Sequence, residues 1–235
     1  MKAVVLCGGK GSRLAEETKL VPKPMVKIGG TPIIVHIIEY LRFYGFKEIF
    51  LATGYKSEII DKYFKNNKFR DIKPIYTGKN TLTGGRLLRL FKYLKKDENF
   101  FLTYGDGLTD LNLNKLKKFH YKNKKIATVT AVHPPVRFGE LQLSRNFVKR
   151  FSEKRQIKNS WISGGFFIFN KKIFNYLKND ETILETTPMN KLTSKKNLAA
   201  FKHEGFWQCM DTLREKKILE EMLKDNKAPW KMINQ

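Results

Sequence analysis

LCGGKGSRLAEETKLVPKPMV, residues 6–26, closes an apolar run that begins at Ala3. KAVVLC (2–7) reads as a buried strand that stops at Gly8. Gly8, Gly9 and Gly11 then turn the chain, with Lys10, Ser12 and Arg13 between and after them. A strand running into a glycine turn is how an open α/β sheet begins, and such sheets bind ligands beyond the carboxyl ends of their strands. Glycines at that place lack the Cβ that would keep backbone N–H groups away from an anion. The stretch therefore points at once to a fold class and to a phosphate-bearing ligand.

Working outward, the pattern repeats. TPIIVHIIEYLRFYG (31–45) reads as a helix: Ile33, Ile34, Ile37, Ile38 and Leu41 share a face, Pro32 suits the first turn and Gly45 closes it. KEIFLAT (47–53) is the next strand, and SEIIDKYFKN (57–66) the next helix, with Ser57 as its expected N-cap. KPIYT (73–77) is a short strand, RLLRLFKYLKK (86–96) an amphipathic helix, and NFFLTYGD (99–106) a strand ending in a Gly-Asp-Gly turn. LNKLKKFHYKN (113–123) and KIATVTAV (125–132) add a helix and a strand. Such alternation predicts a mostly parallel central sheet flanked by helices on both faces. The chain then changes character. RFGELQL, NFVKRFSE and GGFFIFN look like shorter strands, with helices near 171–178, 185–193 and 212–225. One α/β domain over 1–235 is expected, its halves meeting near residue 135.

Composition narrows the function. At 235 residues, 41% hydrophobic and 13% aromatic, the chain can bury a substantial core. Cys7 and Cys209 stand far apart, match no metal spacing, and read as reduced thiols of a cytoplasmic protein. Met1-Lys2 leads into only five apolar residues before Gly8, which predicts no secretory leader, and no apolar run suits a membrane helix. The formal charge of +24 permits a nucleic-acid-binding module as a remote reading. Against it, 36 of the 46 basic residues are Lys, spread from end to end. A positive field that attracts anionic small molecules is the simpler consequence, with no nucleic-acid and no membrane partner.

Two well-known phosphate loops are absent. There is no G-x-x-x-x-G-K-[ST], and the dinucleotide fingerprint begun by Gly9-Lys10-Gly11 meets Leu14 where its third glycine belongs. A glycine-rich turn alone is often only a tight turn; Arg13 and Lys23 tilt this one towards a triphosphate site. G-G-x-G-[ST]-R-L followed by P-K-P-M resembles the signature of the sugar-1-phosphate nucleotidylyltransferases. The likeness runs nearly end to end, through TGGRLLRL, TYGDGLTDLN, RFGELQL, FSEK, GGFFIFN, HEGFWQCMDTLREK and APWK. T-x-T-G-G-R, GFWQ-x-MDT and APWK are similar above all to the glucose-1-phosphate cytidylyltransferase branch.

That resemblance implies a Rossmann-like nucleotidyltransferase fold with a nucleotide-binding half, 1–135, and an acceptor-binding half, 136–235. The implied reaction is Mg²⁺-dependent transfer of CMP from CTP to a phosphorylated small-molecule acceptor, with release of pyrophosphate. Leu6 and Gly8 to Arg13 would wrap the triphosphate, with Gly105 beside it. Arg13 and Lys23 would be the catalytic cations. Asp106, in Tyr104-Gly105-Asp106-Gly107, and Asp211, in Met210-Asp211-Thr212, would hold the metal; taken singly, an Asp at a strand end is more often a turn or cap residue. Thr81 and Arg86 would contact the base, although Thr83 with Gly84 and Gly85 suits a plain helix N-cap equally well. Glu153 and Lys154 would bind the acceptor's hydroxyls and phosphate; in isolation they read as an exposed ion pair. Ser163, Gly165 and Trp207 would line the acceptor's pocket.

Two departures from the family's pattern matter. Only sixteen residues separate Phe64 from Thr81, where family members carry a longer insertion, so their assembly into homo-oligomers does not carry over. The family's I-N-G-G-F-F reads Ile162-Ser163-Gly164-Gly165-Phe166-Phe167 here. Ser is shorter than Asn and offers one donor proton instead of two. The nucleotide half matches the pattern while the acceptor half departs from it. The alternatives are therefore glucose 1-phosphate, another sugar phosphate, or a non-sugar phosphate such as phosphoglutamine in capsule modification.

Overall fold

The computed structural model of the chain describes residues 1–135, 139–152 and 160–231. Strand β1 (Ala3–Cys7) leads through a one-turn helix, α1 (Ala15–Thr18), and a short ribbon, β2 (Lys27–Ile28) with β3 (Thr31–Pro32), into α2 (Ile33–Phe43). Then follow β4 (Ile49–Thr53), α3 (Ser57–Asn66), β5 (Ile72–Tyr76), α4 (Thr83–Arg89), α5 (Phe91–Leu94), β6 (Asn99–Tyr104), β7 (Gly107–Thr109), α6 (Leu113–Asn123) and β8 (Ala127–Val132). The second half adds a hairpin of β9 (Glu140–Ser144) and β10 (Phe147–Ser152), then β11 (Ile162–Asn170), α7 (Thr187–Ser194), β12 (Leu198–Lys202), β13 (Trp207–Cys209) and α8 (Leu213–Lys224).

Seven strands form one sheet in the order β12-β8-β11-β6-β1-β4-β5. β1 pairs in parallel with β4 and β6, β4 with β5, and β8 with β12; β11 alone runs antiparallel to both its neighbours. The expected mostly parallel sheet is thus observed. Successive side chains of a strand point to opposite faces, and β1 divides accordingly. Ala3, Val5 and Cys7 join a core with α2, Ile60 and Phe64 of α3, Leu116 of α6 and Leu219 of α8. Val4 and Leu6 join the opposite core with Leu87, Leu90 and Leu94, Phe174 and Leu192 of α7. Burial on both faces is why β1 and β4 read as unbroken apolar runs rather than alternating ones. Among the described residues no helix is long and apolar enough to cross a membrane.

Local expectations needed three corrections. Ser57 is the first residue of α3, not its cap; Lys56 takes the N-cap position at φ 50°, with no side-chain cap bond. The helix expected over 86–96 starts earlier and breaks at Leu90 into α4 and α5. Thr83 does not cap α4 either. The helix's first N–H groups are satisfied by backbone carbonyls of a distant segment: Leu82 N donates to Asp180 O at 2.8 Å and Gly84 N to Thr182 O at 2.8 Å. A Cβ on Gly85 would lie 2.4 Å from Asp180 O, so this glycine exists for that close approach.

Candidate active site

The site forms at the carboxyl ends of the central strands β1 and β6. After β1, Gly11 adopts the left-handed conformation, φ 65°, and starts a single 3₁₀ turn over Ser12–Leu14. Thr18 anchors that turn from behind, its hydroxyl donating to Gly11 O at 3.1 Å and to Leu14 O at 3.0 Å. The first glycine serves a different neighbour. A Cβ on Gly8 would fall 2.1 Å from the Arg86 guanidinium carbon, whereas one on Gly9 would meet nothing within 4 Å. Gly8 makes room for Arg86, and Gly9 faces open space.

Arg86 is buried and committed to the backbone. Nη1 donates to Thr53 O at 3.1 Å, Thr77 Oγ1 at 2.9 Å and Gly78 O at 2.7 Å, and Nη2 donates to Gly8 O at 2.9 Å. One fork thereby ties the glycine turn to the ends of β4 and β5. Burial lowers its pKa, which stays far above neutrality.

Lys23 stands at the centre. Pro22 holds the preceding backbone extended, and Lys23–Met25 form a 3₁₀ turn that aims the side chain inward. Its ammonium touches Asp106 Oδ2 and lies 2.5 Å from Asp211 Oδ1. Asp106 arrives through Gly105, whose missing side chain admits Pro24: a Cβ there would be 2.9 Å from Pro24 Cγ. Asp211 arrives between β13 and α8. Met210 N donates to Asp106 O at 2.9 Å, which joins the two carboxylate-bearing segments. Thr212 and Glu215 make a capping box at the start of α8, and Glu215 Oε2 also accepts from Asp211 N at 2.7 Å. Arg13 completes the cluster, Nη1 lying 2.7 Å from Asp211 Oδ2 while most of its side chain remains exposed.

Burial alone would lower the Lys23 pKa, but the charges of Asp106 and Asp211 and their hydrogen bonds outweigh it and raise the value. Burial likewise pushes Asp211 up, and its bonds to Lys23 together with the nearby charge of Arg13 bring it below the ordinary carboxylate range. Lys23 and Asp211 therefore face each other as an ion pair at neutral pH. Two carboxylates converging on one cation offer hard oxygen donors of the kind a small divalent ion takes, with phosphate oxygens completing the shell. The residues present fit such an ion. Cys209, Asp211 and Glu215 also lie close enough to share a metal. There, however, Glu215 caps α8, and the Cys209 thiol, pushed up to about 12 by burial and by Asp211, stays protonated.

A cleft of about 290 Å³ opens over this cluster. Of the residues singled out in the sequence, Leu6, Gly8, Gly9, Gly11, Arg13, Lys23, Thr81, Arg86, Gly105 and Asp106 line it. Lys10 and Ser12 are exposed on the turn and are not part of the lining. Ser163, Gly165 and Trp207 form a neighbouring wall. Trp207 Nε1 donates to Gly164 O at 2.7 Å, and Gly165, at φ 76°, packs so tightly on Tyr104 that a Cβ would come within 2.7 Å of the ring. Ser163 Oγ accepts from Gly165 N at 3.3 Å. Glu153 and Lys154 lie outside the described residues.

Sequence reading missed three residues. Leu82 and Tyr104 line the cleft, and Glu185 braces it: one carboxylate oxygen takes the Tyr104 hydroxyl, the other the Thr83 hydroxyl at 2.6 Å. Tyr104 was legible in principle, since it immediately precedes Gly105-Asp106. Glu185 sits 102 residues from Thr83, and no local signal marks it.

The family model described as nucleotidyl transferase matches residues 2–226. A glucose-1-phosphate cytidylyltransferase of Salmonella typhi is 42% identical, with 98% of this chain and 99% of that protein covered. The aligned region spans 254 positions, more than the 235 residues of this chain, so the relative carries stretches that are missing here. A D-glycero-alpha-D-manno-heptose 1-phosphate guanylyltransferase of Campylobacter jejuni is 36% identical, with 74% of this chain and 78% of that protein covered. Among solved structures, HddC from Yersinia pseudotuberculosis superposes with a TM-score of 0.74 at 26% identity, covering 94% of this chain and 99% of that one.

Proposed function

The chain belongs to the nucleotidyl transferase family, and from that membership we propose that it transfers CMP from CTP to a phosphorylated acceptor of the glucose 1-phosphate type. A phosphate oxygen of the acceptor attacks the α-phosphorus of CTP. The bond from that phosphorus to the bridging oxygen breaks, and pyrophosphate leaves with the electron pair. An ionised phosphate needs no general base, so the protein's task is positioning and charge neutralisation. The observation that carries the reading is Lys23 held between Asp106 and Asp211 at the mouth of the glycine-turn cleft.

The residues divide the work. The turn from Gly8 to Arg13 presents backbone N–H groups and the Arg13 guanidinium to the triphosphate. Lys23 neutralises charge that grows on the α-phosphate and the departing pyrophosphate. Asp106 and Asp211 would hold Mg²⁺, which supplies further neutralisation of the phosphates when bound. Thr81, buried and lining the cleft, is the base contact. Arg86 supports base recognition from beneath, by fixing the turn. Glu153, Lys154, Ser163, Gly165 and Trp207 serve the acceptor.

The acceptor follows the 42%-identical relative, whose name is glucose-1-phosphate cytidylyltransferase. One observation favours a second reading with the same CTP chemistry on another acceptor. Ser163 stands in the wall where the family pattern has Asn, and its oxygen is already used by Gly165 N. Assay of pyrophosphate release from CTP against a panel of phosphorylated acceptors tests both. Release with glucose 1-phosphate above all others supports the first reading, release with another acceptor above it supports the second, and release with none refutes both.

A further inference from the structure

A second cavity, of about 440 Å³, lies at the opposite end of the sheet. Its lining includes Asn99, the first residue of β6, while Tyr104, the last, lines the catalytic cleft. Five residue steps of extended strand put the two roughly 17 Å apart. Lys124, Lys125 and Lys172 face this cavity, and none makes an ion pair among the described residues. Its one carboxylate, Glu98, is already taken by Lys171 Nζ at 3.1 Å and Asn170 Nδ2 at 2.8 Å.

The polar floor is fixed bond by bond. Lys172 N, which can only donate, gives its proton to Asn170 Oδ1 at 3.0 Å. Asn170 must then present its amide nitrogen on the other side, where Nδ2 donates to Asn99 Oδ1 at 3.3 Å. That oxygen is also 3.0 Å from His120 Nε2, so Nε2 carries the proton. His120 Nδ1 consequently accepts from Thr128 Oγ1 at 2.8 Å, which satisfies a hydroxyl with no solvent exposure. These bonds leave the Asn99 amide nitrogen without a hydrogen-bond acceptor among the described residues. A donor held in place by a buried neutral His, in a cavity also lined by Lys124, Lys125 and Lys172, of which only Lys172 acts on the Glu98 charge, is arranged for an anion. The volume falls in the range of small-molecule sites, roughly 300–1,000 Å³. Tyr121 at the rim, 54% exposed, offers an aromatic face.

We propose that this cavity is a second, noncatalytic site for a diphosphate-bearing small molecule, held by Lys124, Lys125, Lys172 and the Asn99 amide. The diphosphate could be free or part of a nucleotide, and Tyr121 decides between them, because only a nucleotide has a base to stack on it.

Calorimetric titration of the intact protein with CDP and, separately, with inorganic pyrophosphate tests this. Two saturable sites are expected, and Lys124→Gln/Lys125→Gln/Lys172→Gln should weaken the second at least tenfold while leaving the first. A control that removes the same charge from exposed positions elsewhere, Lys62→Gln/Lys68→Gln/Lys217→Gln, should keep both sites. If CDP binds the second site tenfold tighter than pyrophosphate and Tyr121→Ala removes that advantage, the site is a nucleotide site. Equal affinity with no effect of Tyr121→Ala makes it a site for the diphosphate alone. A single site in the wild type, or equal loss in the control variant, would overturn the proposal. Neither result bears on the catalytic cleft, whose site is counted separately.

Discussion

The Lys23 ammonium lies 2.5 Å from a carboxylate oxygen of Asp211, across 188 residues of chain. The contact spans the whole fold: Lys23 comes from the 3₁₀ turn between α1 and β2, Asp211 from the segment between β13 and α8. Asp106, at the end of β6, closes the triangle. Three elements that are remote in sequence must pack correctly before the cluster exists, which makes it a sensitive report on both fold and function.

Asp106→Asn and Asp211→Asn should each cut turnover by roughly 10²–10³-fold, because a charged donor at a metal site is worth several kcal/mol. Circular dichroism should show the fold retained. Near-wild-type rates across a titration of divalent cation would show that these carboxylates do not hold the metal.

Lys23→Ala should lower kcat more than it raises the KM for CTP, since the charge matters most as pyrophosphate departs. An unchanged kcat with a raised KM would assign Lys23 to ground-state binding only.

Arg86→Lys should destabilise the protein by about 2 kcal/mol or more, and weaken CTP binding as a consequence. A lysine ammonium cannot reproduce the planar fork that reaches Gly8 O, Thr53 O and Gly78 O together. Gly8 O and Thr53 O keep the Tyr55 and Thr77 donors, but Gly78 O takes no other donor among the described residues, and such a loss costs about 1–3 kcal/mol. Gly8→Ala should do the same from the other side, by driving a methyl into the guanidinium. Denaturant midpoints and CTP titrations read both effects. Full stability with altered base preference would return Arg86 to a direct base-reading role.

Stability should fall as pH drops from 6.5 towards 4. Burial pushes His36 down to about 4, the Ile28 carbonyl opposing and Lys231 reinforcing the shift. Its ordinary value is 6.5, so between these limits the unfolded chain binds the proton and the native state does not. That difference costs the native state roughly 3 kcal/mol once pH is below both values. His36→Leu should flatten the dependence, leaving the contribution of His120, which burial also lowers. Urea midpoints at pH 6.5 and 4 measure it; an unchanged slope in His36→Leu would show that His36 is not the group.

Much of this was legible in the sequence because the physics is local. The strand–turn–helix alternation, the boundaries of α3 and α6, and the glycine turn with Lys23 follow from periodicity and from the properties of Gly and Pro. What stayed hidden depends on tertiary approach. Gly84 and Gly85 look like cap or base-loop residues; their reason is the carbonyls of Asp180 and Thr182, far along the chain. Arg86 looks like a ligand contact, yet its guanidinium is consumed by backbone oxygens that no sequence pattern announces. Glu185 was invisible for the same reason.

The most direct test of the central claim is the rate of pyrophosphate release with glucose 1-phosphate and Mg²⁺, compared across CTP, UTP, GTP and dTTP. Cytosine and uracil differ in a donor–acceptor swap, which a hydrogen-bonding site discriminates by leaving its own groups unpaired. Acceptor-dependent release with CTP should be at least a hundredfold more efficient than with the other three. Release from UTP, GTP or dTTP that equals or exceeds release from CTP would contradict it.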